Sequence, residues 1–123
     1  MDNANEHVTT NREYWNGKAH DWVAAGERAW AAAEPSWGIW NVPESELRLL
    51  PIDMRGMKAV ELGCGTGYVS GWMARRGADV TGIDVSDEQL ATARRLAQQH
   101  GSNVKLVHGN AESTPFEDES FDF

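Results

Sequence analysis

Residues Val60 to Ser86 read VELGCGTGYVSGWMARRGADVTGIDVS. Gly63, Gly65 and Gly67 stand at every second position, and a lone carboxylate, Asp84, follows seventeen residues after the last of them. Glycine admits positive φ and lets a ligand touch the main chain with no Cβ in the way. A helix that starts directly after such a run offers free N–H groups at its first turn. An acid at the end of the next strand can accept hydrogen bonds from both hydroxyls of a ribose. Glu61 adds a second carboxylate, inside a predicted strand, where an unpaired buried acid is costly and a cationic ligand would relieve the cost. Glycines, helix start and strand-end acid together fit an adenosine-containing cofactor.

Spacing narrows the choice. The dinucleotide fingerprint is G-x-G-x-x-G, whose third glycine lets helix and strand approach closely. Here Gly63-Cys64-Gly65-Thr66-Gly67-Tyr68 sets tyrosine at that place. The departure disfavours a dehydrogenase. Cys64 has no base near it in the motif and reads as a small side chain in a crowded turn, not a nucleophile. His7, His20, His100 and His108 show no metal-ligand spacing, so no metal is expected, and His20 reads as a surface residue.

These residues need elements to hold them. Residues 1–10 are polar and are expected to be disordered or frayed. From Asn11 to Ala33, Trp15, Ala19, Trp22, Gly26 and Trp30 recur on one side of a 3.6-residue period, which predicts one helix capped by Thr10 or Asn11. Two prolines and a glycine interrupt Glu34–Glu44, and a short helix over Glu44–Leu50 ends at Pro51. Lys58–Leu62 predicts a strand. Tyr68–Arg76 predicts a helix with Val69, Trp72 and Met73 on one face, stopped by Gly77.

Asp79–Ile83 predicts a second strand. Ser86 is a good N-cap, and Gln89 would complete a capping box. Leu90, Ala93, Leu96 and Ala97 line the following helix, which ends at Gly101. Val104–Val107 predicts a third strand, Gly109–Glu119 a loop, and Phe121–Phe123 the start of a fourth strand. Strands alternating with helices imply an α/β fold with a parallel sheet and right-handed crossovers. Ligands of such sheets sit at the carboxyl ends of the strands.

Composition sets the outer bounds. A chain of 123 residues holds one domain at most. A net charge of −8 disfavours duplex DNA or RNA as a partner. One cysteine makes no intrachain disulfide, which suits a reducing compartment. Met1–Thr10 shows neither a basic start nor an apolar stretch, and no run approaches the roughly 20 apolar residues of a membrane helix. A cytoplasmic protein without a membrane partner is the expectation.

VELGCGTGYVS, GIDVS and GNAESTPFEDESFDF, taken in order, resemble the class I S-adenosylmethionine-dependent methyltransferases, in the branch that acts on small molecules. The resemblance covers Val60–Phe123 most strongly. It implies a doubly wound, Rossmann-like parallel sheet, and S-adenosylmethionine as cofactor. It implies that Glu61 lies near the amino end of the methionine part, and that the backbone of Gly63, Gly65 and Gly67 packs on the amino-acid moiety and ribose. Asp84 would take the ribose hydroxyls and Val85 would lie along the adenine. Asn110, Ala111 and Glu112 would edge that ring, with the side chain at 110 on its exocyclic amine and the N–H of 111 on a ring nitrogen. The family's usual Asp at 110 is replaced here by Asn110, which accepts without charge assistance.

YWNGKAHDW resembles the start of the family's N-terminal lid, with Trp15 as the lid residue at the cofactor. Packing and lid roles are compatible for the tryptophans between Trp15 and Trp40. The organisation implied is a disordered N-terminus over 1–10, a helical cap over 11–55 and the N-terminal half of a methyltransferase domain over 56–123. The implied reaction is methyl transfer to a small-molecule acceptor, with no catalytic residue named. Phe123 falls inside a strand, so a chain truncated after the start of the fourth strand is expected, with self-association through an exposed sheet edge. The alternative is a remnant that binds cofactor, or dimerises, without catalysis.

Overall fold

The computed structural model describes the backbone of residues 3–123 and the side chains of residues 6–123. Helix α1, Asn3–Lys18, passes through a 3-10 turn, Ala19–Trp22, into α2, Val23–Ala31. A small hairpin pairs β1, Ser36–Trp37, with β2, Val42–Pro43, and leads into α3, Glu44–Leu47. The main sheet follows: β3 (Lys58–Leu62), α4 (Tyr68–Arg75), β4 (Asp79–Asp84), α5 (Asp87–Gln99) and β5 (Lys105–His108). Its strands are parallel, in the order β3-β4-β5. Leu62 pairs with Ile83, and Asp84 with His108, so the carboxyl ends of all three strands align.

Local sequence explains the helix ends. Gly77 (φ 100°) follows α4 and Gly101 (φ 65°) follows α5, each in the left-handed conformation that closes a helix. Ser86 caps α5 by accepting from the Gln89 N–H at 3.2 Å. The expected reciprocal bond of the capping box is absent among the described residues. The Ser86 N–H donates instead to Asp84 Oδ1 at 2.8 Å, and the Gln89 side chain turns toward the glycine turn.

The N-terminal region departs from the single helix expected over Asn11–Ala33. It starts at Asn3, because nothing between Asn3 and Asn16 is a glycine or proline and polarity alone does not stop a helix. The disordered segment expected over 1–10 is therefore helical from Asn3 onward, and residues 1 and 2 lie outside the described residues. An unbroken helix over Asn3–Ala31 would run about 43 Å at 1.5 Å per residue. The 3-10 turn divides it, so that each half docks separately. Asn16 of α1 bonds the start of α5: it accepts from Ser86 Oγ at 2.6 Å and donates to Asp87 Oδ1 at 2.9 Å. Trp30 of α2, 1% exposed, packs against Gly71 of α4 and against Leu96 and Ala97 of α5.

Two further differences concern irregular stretches. The Glu34–Glu44 segment forms the β1–β2 hairpin, and α3 stops at Leu47 where Arg48 takes φ 51°. Phe121–Phe123 is not a strand, yet Asp122 N–H donates to Lys58 O and Val60 N–H donates to Phe123 O, so this segment runs beside β3. The core comprises Leu50, Met54, Ala59, Trp72, Met73 and Val80, with a second cluster of Trp30, Leu96 and Ala97. Glu44 is buried beside the first cluster. Its carboxylate accepts from the N–H groups of Leu49 (2.6 Å) and Leu50 (3.1 Å) and pairs with Arg76 Nη1 at 3.2 Å.

Candidate cofactor site

β3 delivers the chain into a turn in which Gly63, Gly65 and Gly67 hold φ of 68°, 56° and 80°. A side chain at any of them would be strained. Their surroundings differ. A Cβ on Gly63 would meet nothing within 4 Å, whereas one on Gly65 would lie 2.9 Å from Gln89 Oε1. A Cβ on Gly67 would lie 3.3 Å from that of Ala93 and 3.7 Å from the Trp30 ring. Gly63 therefore opens onto free space, and Gly67 lets the turn lie close against Ala93 of α5 and Trp30 of α2.

The turn is fixed from three sides. Cys64 N–H donates to Ile83 O at 3.0 Å, extending the β3–β4 ladder. Trp30 Nε1–H donates to Thr66 O at 2.8 Å, and Gly26 of α2 lets Thr66 come close enough that a Cβ there would stand 2.7 Å from its Oγ1. Asp84, at the carboxyl end of β4, accepts the Gly65 N–H on Oδ2 at 2.8 Å and the Ser86 N–H on Oδ1 at 2.8 Å. Each carboxylate oxygen keeps acceptor capacity for a ligand hydroxyl.

Glu61 projects from β3 behind the turn. Its Oε1 accepts from Ser70 Oγ at 2.7 Å and from Ser70 N–H at 3.0 Å. Burial pushes its pKa up to about 7, against the lowering effect of those two bonds. Cys64 is buried, and burial with the nearby carboxylates of Glu61 and Asp84 drives its thiol pKa upward, so it is no nucleophile at neutral pH.

These groups face a cavity of about 1050 Å³. Of the residues singled out from the sequence, Trp15, Glu61, Gly63, Gly65, Asp84, Val85, Asn110, Ala111 and Glu112 line it, and Gly67 does not. Asn110 makes a local turn, its Oδ1 accepting the Glu112 N–H at 3.0 Å. Further lining comes from α1, the 3-10 turn, α2 and the hairpin, including Trp22, Arg28 and Ile39. Trp22 lay on the predicted helical stripe. The hairpin residues carried no periodic signal, because β1 and β2 are two residues each. His20 faces outward and pairs with Asp21 at 3.0 Å. Among the described residues, no cluster of His, Cys, Asp and Glu could hold a metal, and no helix is long and apolar enough to cross a membrane.

A parallel sheet whose first strand enters a glycine turn, and whose second ends in a carboxylate on the same cavity, defines a Rossmann-like nucleotide-cofactor fold. The chain belongs to the methyltransferase domain family, whose model matches residues 59–123. It is 38% identical to a ubiquinone biosynthesis O-methyltransferase of Roseobacter denitrificans over 72 residues, 58% of this chain and 29% of that one. It is 30% identical to an uncharacterised methyltransferase of Bacillus subtilis, covering 94% of this chain and 48% of the relative. The chain thus spans less than half the length of these two relatives. Among solved structures, an S-adenosylmethionine-dependent methyltransferase from Mesorhizobium loti superposes with a TM-score of 0.53 at 30% identity, over 63% of this chain and 35% of that one. The 4+2 cyclase SpnF superposes with a TM-score of 0.69 at 25% identity, over 94% of this chain and 47% of that one.

Proposed function

We propose that this chain binds S-adenosylmethionine in the cavity beneath α1 and α2 and serves methyl transfer to a small-molecule acceptor. One observation carries the reading. The open backbone at Gly63, the carboxylates of Glu61 and Asp84, and the Val85 and Asn110–Glu112 edges all line a single cavity at the carboxyl ends of parallel strands. The fit is chemical as well as spatial. A carboxylate held near neutrality by burial suits a neighbouring cation, and Asp84 retains lone pairs for two hydroxyls.

The cofactor, when bound, supplies a methyl group on a positively charged sulfur, which is already a good leaving group. The residues of this chain hold that donor in place. Glu61 would face the ammonium end, Asp84 would take the ribose hydroxyls, and the backbone of the glycine turn would pack along the amino-acid part. Val85 would lie along the adenine, while Asn110 and the Ala111 N–H would meet its edge. Trp15 and Trp22 cover the cavity and limit water. Holding donor and acceptor in line supplies much of the rate. Relatives named for ubiquinone biosynthesis O-methylation and as a demethylmenaquinone methyltransferase support a small acceptor.

Calorimetric titration with S-adenosylhomocysteine, with NAD as control, tests the reading. Binding of the first alone is expected. Binding of NAD, or of neither ligand by folded protein, would overturn it. The likeness to a cyclase favours one other reading, a cofactor-binding fold without methyl transfer. Release of label from methyl-tritiated cofactor onto an acceptor would exclude it.

A further inference from the structure

Helix α1 stands over the cavity on little support. Asn11 and Trp15 line the cavity, yet none of the described side chains of α1 is buried. Its neighbour α2 is anchored, because Trp30 is 1% exposed and bonds the Thr66 carbonyl at 2.8 Å. The 3-10 turn Ala19–Trp22 separates the two helices. Among the described residues, the side-chain hydrogen bonds from α1 to the rest of the chain all belong to Asn16. Its Oδ1 accepts from Ser86 Oγ at 2.6 Å and, more distantly, from the Glu88 N–H at 3.4 Å. Its Nδ2 donates to Asp87 Oδ1 at 2.9 Å, a bond that holds the Asp87 carboxyl below its usual pKa. Ser86 is buried, its hydroxyl lying between the Asn16 carbonyl and the Gln89 N–H. The Ser86 N–H donates to Asp84 Oδ1 at 2.8 Å, and Asp84 Oδ2 takes the Gly65 N–H at 2.8 Å. One line of hydrogen bonds therefore runs from α1, through the cap of α5, to the carboxylate and the glycine turn of the cavity.

We propose that Asn16 is a positioning residue that latches α1, and Trp15 with it, over the bound cofactor and ties that closure to Asp84 through Ser86. The inference rests on the cofactor reading above and adds the group that holds the cover shut. A helix that buries no side chain gains little from docking, so a few polar bonds decide whether it stays in place. Each such bond shifts an equilibrium by only about fivefold once the competing bonds to water are counted, and by more where a charge takes part. The latch therefore favours the closed state and still releases it for ligand entry. The 3-10 turn is the hinge, and α2 stays on the glycine turn while α1 moves. The pairing at the latch is directional. Asn16 presents one acceptor to the Ser86 hydroxyl and one donor to the ionised Asp87, so an aspartate in its place would face Asp87 with like charge.

The test uses the whole chain, S-adenosylhomocysteine as the probe, and three variants: Asn16→Ala, Asn16→Asp and the exchange Asn16→Asp/Asp87→Asn. Asn16 is only partly buried, so all three should fold. Stopped-flow fluorescence of the tryptophans lining the cavity reads the ligand rates. Asn16→Ala and Asn16→Asp should speed dissociation by about tenfold or more, the factor that one charge-assisted bond supplies, without slowing association. The backbone amides of α1 should exchange hydrogen faster in both, in ligand-free protein as well. The double variant returns the pair with donor and acceptor exchanged, and should bring both rates back toward wild type. A residue that served stability alone would lower the unfolding temperature and leave dissociation from the folded protein as it was. The two readings fail separately. Wild type that does not bind the ligand sinks the cofactor reading, and ligand-free α1 exchange that is unchanged in Asn16→Asp sinks the latch. Unchanged dissociation in Asn16→Asp, or a double variant no better than Asn16→Asp, would also overturn the assignment.

Discussion

The indole Nε1–H of Trp30 donates to the carbonyl oxygen of Thr66 at 2.8 Å, with the ring 1% exposed. A helix outside the sheet thereby holds the turn that faces the cofactor cavity. The same helix gives its terminal carbonyls to α4: Ala29 O accepts from Trp72 Nε1 at 3.0 Å and Ala32 O from Arg75 Nη1 at 2.9 Å, and Trp30 O also accepts from Arg75. α2 and the glycine turn therefore form one packed unit.

Trp30→Phe should keep most of that packing and lose the bond. A buried carbonyl left without its donor costs about 1–3 kcal/mol. Chemical denaturation should show a loss in this range, and Trp30→Ala a larger one of about 3–5 kcal/mol. A Trp30→Phe variant as stable as wild type would show that Thr66 O finds another partner.

Asp84 serves the fold and, in the proposed site, the ligand. Asp84→Ala removes the partner of the Gly65 and Ser86 N–H groups, so stability should fall. Binding of S-adenosylhomocysteine should fall as well, by about 2–4 kcal/mol if two charge-assisted bonds of about 1.5–3 kcal/mol each are lost with partial replacement by water. Calorimetry on variant that is still folded at the assay temperature separates the two effects. Unchanged affinity would remove Asp84 from the ligand's contacts.

Glu61 makes stability depend on pH in an unusual direction for an acid. Its pKa is about 7 in the folded chain and near 4.5 unfolded. Between those values the folded state holds the extra proton, so its stabilising contribution is complete below 4.5 and is lost as pH rises through 7. The loss is up to about 3 kcal/mol at 1.36 kcal/mol per unit. Denaturation at pH 5 and pH 8 should show wild type losing stability relative to Glu61→Gln across that interval. A bound cation would favour the ionised carboxylate. Affinity for S-adenosylhomocysteine should therefore rise from pH 5.5 to 8, with proton release detectable as a buffer-dependent binding enthalpy.

The Glu44–Arg76 pair ties the hairpin region to the end of α4. Arg76 also donates to Leu50 O at 3.1 Å and Pro51 O at 3.0 Å, and Glu44 accepts from Trp37 Nε1 at 3.3 Å. Arg76→Ala leaves a buried carboxylate without its cation, and should cost about 3–5 kcal/mol. The double variant Glu44→Gln/Arg76→Met should recover part of that loss in thermal unfolding, because it removes the uncompensated charge.

The sequence by itself determined the elements whose signals are local. β3 was legible as Lys58–Leu62 because a short apolar strand ends at glycines that only a turn requires. The ends of α4 and α5 were legible because Gly77, Ser86 and Gly101 act within one helical turn of their own positions. Glu61, Gly63, Gly65, Asp84, Val85 and Asn110–Glu112 were legible as neighbours on one cavity because strand ends and the loops after them must share one edge of a parallel sheet, whereas Thr66, Tyr68, Trp72, Gln89 and Gly109, which also line it, were not. Tertiary structure decided what depends on distant partners. The N-terminal helix breaks at Ala19 because its halves dock on different helices, Asn16 on α5 and Trp30 against α4 and the glycine turn. Gly67 proved a packing residue because Ala93 and Trp30 stand behind it, and no spacing within GCGTG encodes that. The β1–β2 hairpin and the burial of Glu44 are likewise set by contacts far along the chain, Arg76 above all, since a strand of two residues and a lone acid have no period to read.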